Sequence, residues 1–345
     1  MPMGAGLKPL CVHLVATACF IAVACLHAQA ALLTTGNGDA TMNVDVDVYG
    51  SFGRAVQLTG GSATDAMFDP VGAEGPQGTI FESAIAITDL SNPTNRLFMT
   101  TGQIAGTGML GPHPAFTSVT DTFVTSEFEL GQLTFNLQQS VQPLFTGAVQ
   151  TGSLLTQDYT ATNTSNAPVM FDLIRYVDSD IAEQIMSVFS NGGGLLTRDG
   201  LQILFATDRP GMPADAVLFV GITADGNGPS PSFRLELSSF SPNSGLRFDI
   251  VNGLPLDDMI EGDGPDSDDF VDSSEVGLDV TLALATNFAL EPDETGFLRT
   301  LTFFGSGNPE DFDVPPSVSQ IPEPATVMFV GAAMLAAIAP RRRRG

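Results

Sequence analysis

From residue 42 to residue 48 the chain reads Met-Asn-Val-Asp-Val-Asp-Val, with every second residue apolar. Successive side chains of an extended strand point to opposite faces, so this pattern sets one face on a core and the other in water. Similar short runs recur at residues 127–137, 155–162, 169–177, 201–206, 216–224, 233–238, 246–251, 280–285 and 297–304. Turn-forming clusters separate them. Asn163-Thr164-Ser165-Asn166-Ala167-Pro168 reads as a hairpin connection, and Gly226-Asn227-Gly228 closes another run. Helical character is confined to residues 180–189, with Asn191-Gly192-Gly193-Gly194 as its stop. The expectation is an all-β chain built as a large antiparallel β-sandwich, with one body or two subdomains over residues 31–304. No fixed repeat period supports a propeller or β-helix. Residues 59–78, rich in Gly and Pro, read as a long surface loop.

The two ends differ from this body. Residues 1–30 carry Lys8, an apolar stretch from about Val12 to Leu26, and Ala28-Gln29-Ala30. That order is a secretory signal peptide with a small-residue cleavage site at Ala28 and Ala30, so the exported chain is expected to begin at Ala31. Cys11, Cys19 and Cys25 all lie in this leader. The body forms no disulfide, and its stability outside the cell rests on core burial or bound ions.

At the other end, residues 305–320 form an acidic tether rich in Pro, Ser and Gly. Ile321-Pro322-Glu323-Pro324 follows, then an apolar stretch to Ala339, and finally Arg341, Arg342, Arg343 and Arg344. Both prolines lack an N–H and hold the backbone extended. The apolar run of roughly 16 residues makes a helix of about 24 Å, short of a hydrocarbon core of about 30 Å, so the arginines must reach outward to the interface. Four arginines without a nearby acid keep this end cytoplasmic and the body outside.

A Pro-Glu-Pro triplet, a short apolar helix and a terminal arginine cluster together resemble the sorting tail of PEP-CTERM proteins. These are substrates of exosortase in Gram-negative bacteria that make exopolysaccharide. The tail departs from the commonest form in being rich in Ala and Met, and in placing Pro340 before the arginines. The resemblance covers residues 321–345 and implies a transmembrane sorting helix that anchors the chain transiently in the inner membrane. It also implies a cut near Glu323 and transfer of the body to the cell surface or extracellular matrix. The body, notably Tyr159-Thr160-Ala161-Thr162-Asn163 through Asp180, resembles uncharacterised all-β bodies of such proteins, and no activity comes with that likeness. A plain, uncut C-terminal anchor is the alternative.

Charge narrows the partners. Of 13 basic residues, setting aside Lys8 and the four tail arginines leaves eight; of 39 acidic residues, setting aside Glu323 leaves 38, a net charge of −30. Such a surface repels nucleic acid and anionic lipid and attracts divalent cations. The acid-rich stretch over residues 257–275 includes Asp263, Asp266, Asp268 and Asp272, hard oxygen donors that suit Ca²⁺. The EF-hand pattern fails, since from Asp266 the fifth position is Phe270. An exposed, solvated acidic loop accounts for the same residues.

A second candidate is Arg175-Tyr176-Val177-Asp178-Ser179-Asp180 at the end of an apolar run. Extended, it sets Asp178 and Asp180 on one side about 6.5–7 Å apart. That spacing fits calcium, or a carboxylate pair for glycoside hydrolysis, in which inverting enzymes use about 6.5–9.5 Å. It fits equally a strand-end turn in which the aspartates cap amides and Arg175 pairs with an acid.

His113 is the single histidine beyond the leader, and no nucleophile elbow, zincin pair or phosphate loop is present. With no Trp and three Tyr, a sugar platform built on stacking would be thin. The expectation is a non-enzymatic structural or adhesive matrix protein, associated with exopolysaccharide or biofilm, whose partners are exosortase and the membrane. The rivals are a surface polysaccharide hydrolase and a non-catalytic carbohydrate-binding module.

Overall fold

The computed structural model describes residues 30–54, 66–91, 96–100, 103–106, 115–181, 191–198, 201–208, 217–225, 233–241, 243–260, 270–271 and 279–311. Nineteen strands are present among them. They are β1 (Ala30–Thr34), β2 (Met42–Asp47), β3 (Met67–Phe68), β4 (Gln77–Gly78), β5 (Ile80–Asp89), β6 (Arg96–Thr100) and β7 (Gln103–Gly106), followed by β8 (Ala115–Val119), β9 (Phe123–Leu130), β10 (Leu133–Thr146), β11 (Val149–Asn163), β12 (Val169–Ser179) and β13 (Gly192–Arg198). Then come β14 (Leu201–Thr207), β15 (Leu218–Asp225), β16 (Arg234–Ser239), helix α1 (Leu246–Val251), β17 (Phe270–Val271), β18 (Val280–Leu290) and β19 (Thr295–Ser306). The all-β expectation is met. Among the described residues no helix is long and apolar enough to cross a membrane.

The strands form a nine-stranded sheet in the order β17-β13-β14-β15-β19-β11-β10-β9-β8, a six-stranded sheet in the order β16-β18-β12-β5-β6-β7, and a small sheet β1-β2-β3-β4. Every ladder between these strands is antiparallel. The two large sheets face each other over a shared core. Phe135, Tyr159 and Leu298 from one pack with Ile85, Leu173 and Phe288 from the other. A chain of rings crosses the gap: Phe128 stacks on Phe135 at 4.9 Å, Phe135 meets Phe171 edge-on at 6.1 Å, and Phe171 stacks on Phe288 at 4.9 Å.

Four local readings are corrected by the fold. The run at 127–137 is two strands, because Gly131 takes φ 60 and turns β9 back along β10. Residues 163–168 are an arch rather than a hairpin, since β11 and β12 belong to opposite sheets. Asn163 fills its bend, donating to the carbonyls of Ala167 and Leu290 and accepting from Ser165. Residues 246–251 are helical: Leu246 and Ile250, four apart, are buried, and Gly253 at φ 72 ends the turn by donating to the Ile250 carbonyl. The triple glycine 192–194 opens β13, where a Cβ on Gly193 would lie 2.8 Å from Val280 Cγ1 and 2.9 Å from the Phe205 carbonyl. Residues 182–190, assigned helical character above, lie outside the described residues. So do 59–65 of the expected loop, whereas its remainder carries β3 and β4, with Ala66 and Phe68 fully buried.

A turn after β2 runs through the middle of the sandwich. Asp47 accepts the amides of Tyr49 and Ser51 at 2.9 and 2.7 Å, and Gly50 takes φ 92. Buried backbone polar groups outside a ladder need partners, and both sheets supply them. Gln157 donates to the Gly50 carbonyl at 2.7 Å, Gln139 to the Asp47 carbonyl at 2.9 Å and Ser126 to the Val48 carbonyl at 2.7 Å. From the facing sheet Arg175 donates to the Gly50 carbonyl at 2.8 Å and to Ser83.

Candidate functional site

Alternation along β12 gives one strand two chemistries. Leu173, Arg175 and Val177 face the interior, whereas Asp172, Ile174, Tyr176 and Asp178 face outward, beneath α1. The outer face is paved with Ala84, Ala86, Ala283 and Ala285, whose small side chains let Leu246 and Ile250 of the helix sit close to the sheet.

On this floor Asp178 lies directly across the ladder from Glu82 on β5, a position that brings Cβ atoms within about 5.5 Å. Glu82 is engaged by Arg247 of α1, whose Nε and Nη2 donate to its two oxygens at 2.5 and 3.0 Å. The same guanidinium lies over the Phe98 ring, 5.0 Å from its centroid. Asp178 is 2% exposed, and its Oδ1 has no hydrogen-bond partner; the buried hydroxyl of Tyr176 has none either. Burial pushes the Asp178 carboxyl well above the usual carboxylate range, and the nearby charges of Asp279, Glu82 and Asp180 push it further, with Arg247 opposing. Tyr176 is pushed up by burial first, then by Asp178 and Glu82.

The expected pairing of Asp178 with Asp180 on one open rim is altered. The register between β5 and β12 shifts after Asp178, so that Ser179 pairs with Ile80. Asp180 leaves the strand, donating its amide to the Thr79 carbonyl, and lies 3.8 Å from Arg54. Arg175 does not pair with an acid at the strand end; it points inward, fully buried, with burial pulling its pKa below the usual range. Among the described residues no three or more acidic, His or Cys side chains are placed to hold a metal ion. Asp263, Asp266, Asp268, Asp272, Ala28, His113, Pro322, Glu323, Pro324 and the tail arginines lie outside the described residues. Ala30 is the first residue of β1, paired with Asp47.

Glu82, Arg247, Asp279 and Glu236 were not singled out from the sequence. A signal for Glu82 exists: it is an isolated acid in the apolar run Ile-Phe-Glu-Ser-Ala-Ile-Ala-Ile, where a buried charge needs a partner from elsewhere. Nothing near Arg247 names that partner, 165 residues away.

Chemically, the site holds two neighbouring carboxyls in unlike states, one leaning to its acid form and one ion-paired. Such divergence serves acid and base roles in enzymes. Here both groups are almost fully buried, each 2% exposed, and α1 holds Glu82 through Arg247.

At the arch end of the sandwich a cleft of about 410 Å³ opens between the sheets. Phe171, Leu97 and Leu133 form its apolar walls, and Asp89, Arg96 and Gln132 supply polar atoms. Arg96 is partly committed, donating to the Val251 carbonyl at 2.9 Å.

No family model matches the chain, and no curated protein matches it. Among solved structures it is similar to a putative kojibiose phosphorylase from the human microbiome, with 8% identity and a TM-score of 0.31 over 90% of this chain. The chain spans 28% of that protein's length. It is also similar to a putative aldose 1-epimerase from Escherichia coli K12, with 11% identity and a TM-score of 0.33 over 81% of this chain and 100% of that one. A galactose mutarotase related enzyme from Lactobacillus acidophilus gives 8% identity and a TM-score of 0.33 over 81% of this chain and 98% of that one. Likenesses of this size leave the activity to be argued from the chain itself.

Proposed function

We propose that the chain is an exported structural or adhesive protein of the bacterial surface or extracellular matrix, sorted by exosortase and associated with exopolysaccharide or biofilm. The observation that carries this reading is the ordered tail: Pro322-Glu323-Pro324, the apolar stretch, then Arg341 to Arg344. The architecture is compatible with it. The tail follows β19, the middle strand of the nine-stranded sheet, which pairs with β11 from Thr295 to Gly305 and with β15 from Arg299 to Ser306. A pull on the C-terminus would load a strand held on both sides. Calcium at Asp263, Asp266, Asp268 and Asp272 would screen the acidic body and tie it to other acidic polymers.

The test is the intact mass of the protein from its native host, with and without the sorting protease. A chain starting near Ala31 and ending near Glu323 only when the protease is present supports the reading. A chain that still carries Arg341 to Arg344 in the presence of the protease overturns it in favour of a plain anchor.

A second reading, a surface polysaccharide hydrolase, draws on the unlike carboxyls Asp178 and Glu82. It requires Asp178→Asn to abolish release of reducing ends from the host polysaccharide while the fold is kept. Equal rates from both proteins would end it.

A further inference from the structure

Beyond α1 the chain doubles back along the edge of the six-stranded sheet. Leu256 is buried, the amide of Leu237 in β16 donates to the Met259 carbonyl at 3.0 Å, and Leu237 forms a parallel bridge with Ile260. Two carboxyl groups complete the attachment. Asp258, at φ 61, accepts the Leu235 amide at 2.9 Å, and Glu236 of β16 accepts the Asp257 amide at 3.0 Å. Residues 254–260 therefore act as a strap that covers the backbone of an edge strand.

The Glu236 contact is unlike the others. Its residue is 8% exposed, it stands beside the Asp257 carboxyl, and Asp249 of α1 adds a third negative charge. Across the ladder it meets Ala283 of β18, and one strand further the buried Tyr176 of β12. The cations of this face are committed elsewhere, Arg234 to Asp172 at 2.6 Å and Arg247 to Glu82. Burial raises the Glu236 carboxyl to about 7, with Asp257 and Asp249 adding to the rise against the Asp257 backbone hydrogen bond.

We propose that residues 254–260 are a proton-held strap: a proton on Glu236 closes the strap on β16 against Asp257, and loss of that proton opens it. With the proton present, Glu236 accepts the Asp257 amide through one oxygen and donates to the Asp257 carboxylate through the other. Without it, the buried Glu236 carboxylate faces the exposed Asp257 carboxylate with no free cation beside it among the described residues, and movement of the strap away from β16 is the relief. Because the native pKa lies above the free value, closure is fully favoured at low pH and is lost as pH rises through about 7. The closed-to-open ratio then falls by up to a few hundredfold, ten raised to the difference between about 7 and 4.5. Opening would free the Leu235 and Leu237 amides on the sheet edge, a surface able to add a strand.

Hydrogen exchange of the full-length chain between pH 5.5 and 8.5, corrected for intrinsic rates, tests this. Expected is loss of protection at Asp257, Leu235 and Leu237 above pH 7, with the β11 amides unchanged. Glu236→Gln keeps both hydrogen bonds without a titrating proton, so it should hold protection flat across the range. Wild-type protection that is flat, or a Glu236→Gln protein that opens with pH as wild type does, overturns the proposal. So does a pH response that disappears on adding EDTA, which would make the occupant a metal ion. If Glu236→Gln does not fold, the ¹³C carboxyl titration of Glu236 in the wild-type chain decides: a midpoint near 7 supports the strap, and one near 4.5 sinks it.

Discussion

The turn at Asp47 to Phe52 and the acidic floor beneath α1 lie on opposite faces of the same six-stranded sheet, and both bury charge. Inside, Asp47 and Arg175 sit among Gln139, Gln157 and backbone carbonyls that are largely hydrogen-bonded, with Gln157 Oε1 and Arg175 Nε left unpartnered. Outside, Glu82, Asp178 and Asp279 crowd one cation, Arg247, leaving Asp178 Oδ1 and the Tyr176 hydroxyl unpartnered. The inner site mixes charge with neutral donors and acceptors, and the outer one is left with an excess of acid. Each site leaves buried polar atoms unpaired, but only in the acid-rich one can a proton taken up by a carboxyl relieve the cost.

The sharpest way to break the inner site is Gly50→Ala. A Cβ there would lie 2.1 Å from the Tyr159 hydroxyl and 2.8 Å from Gln157 Nε2, on a backbone at φ 92. Left-handed strain and overpacking together should cost about 3–5 kcal/mol, read as a lower urea midpoint. A midpoint near wild type would mean that the turn is not held between the sheets.

At the outer site Arg247→Ala should cost about 2–3 kcal/mol at pH 7, because Glu82 stays buried without its cation. Adding Glu82→Gln to that variant should recover part of the loss; strict additivity in the double-mutant cycle would show that the two do not interact.

The smallest effect has the opposite sign. Asp178 holds a raised native pKa, so both folded and unfolded chains are protonated at low pH. Stability then falls as pH climbs from the ordinary carboxylate range through the raised native value. Asp178→Asn removes that cost and should stabilise the chain by roughly 1 kcal/mol at pH 8, with no gain near pH 4. Thermal melts of both proteins at the two pH values measure it, and an equal loss at each would show a merely structural role.

Strands were legible wherever one face is buried and the other wetter, as in Met42 to Val46 or Leu133 to Leu137, because alternation is a local property. The failures are instructive for the same reason. Leu246 to Val251 satisfies both an alternating and an i, i+4 pattern, and the stop at Asn252-Gly253 together with the Ala floor decides for helix. The arch at Asn163 has the composition of a hairpin turn, but which sheet receives β12 depends on strands β5 and β18, distant in sequence. Of the candidate site, Asp178 was picked out for its neighbour Asp180, whereas the structure couples it to Glu82 and Asp279 as well.

The amino-acid order alone determined the period-two body, its excess of acid, the absence of cysteine after Cys25 and the two unlike ends, since each is written in neighbouring residues. Tertiary structure alone decided that a turn after β2 would be threaded between two sheets, that Arg175 and Asp178 would face opposite environments, and that Glu236 would meet Asp257. Those outcomes rest on contacts between segments far apart in the chain, where burial removes water and long-range pairing chooses which charges face each other.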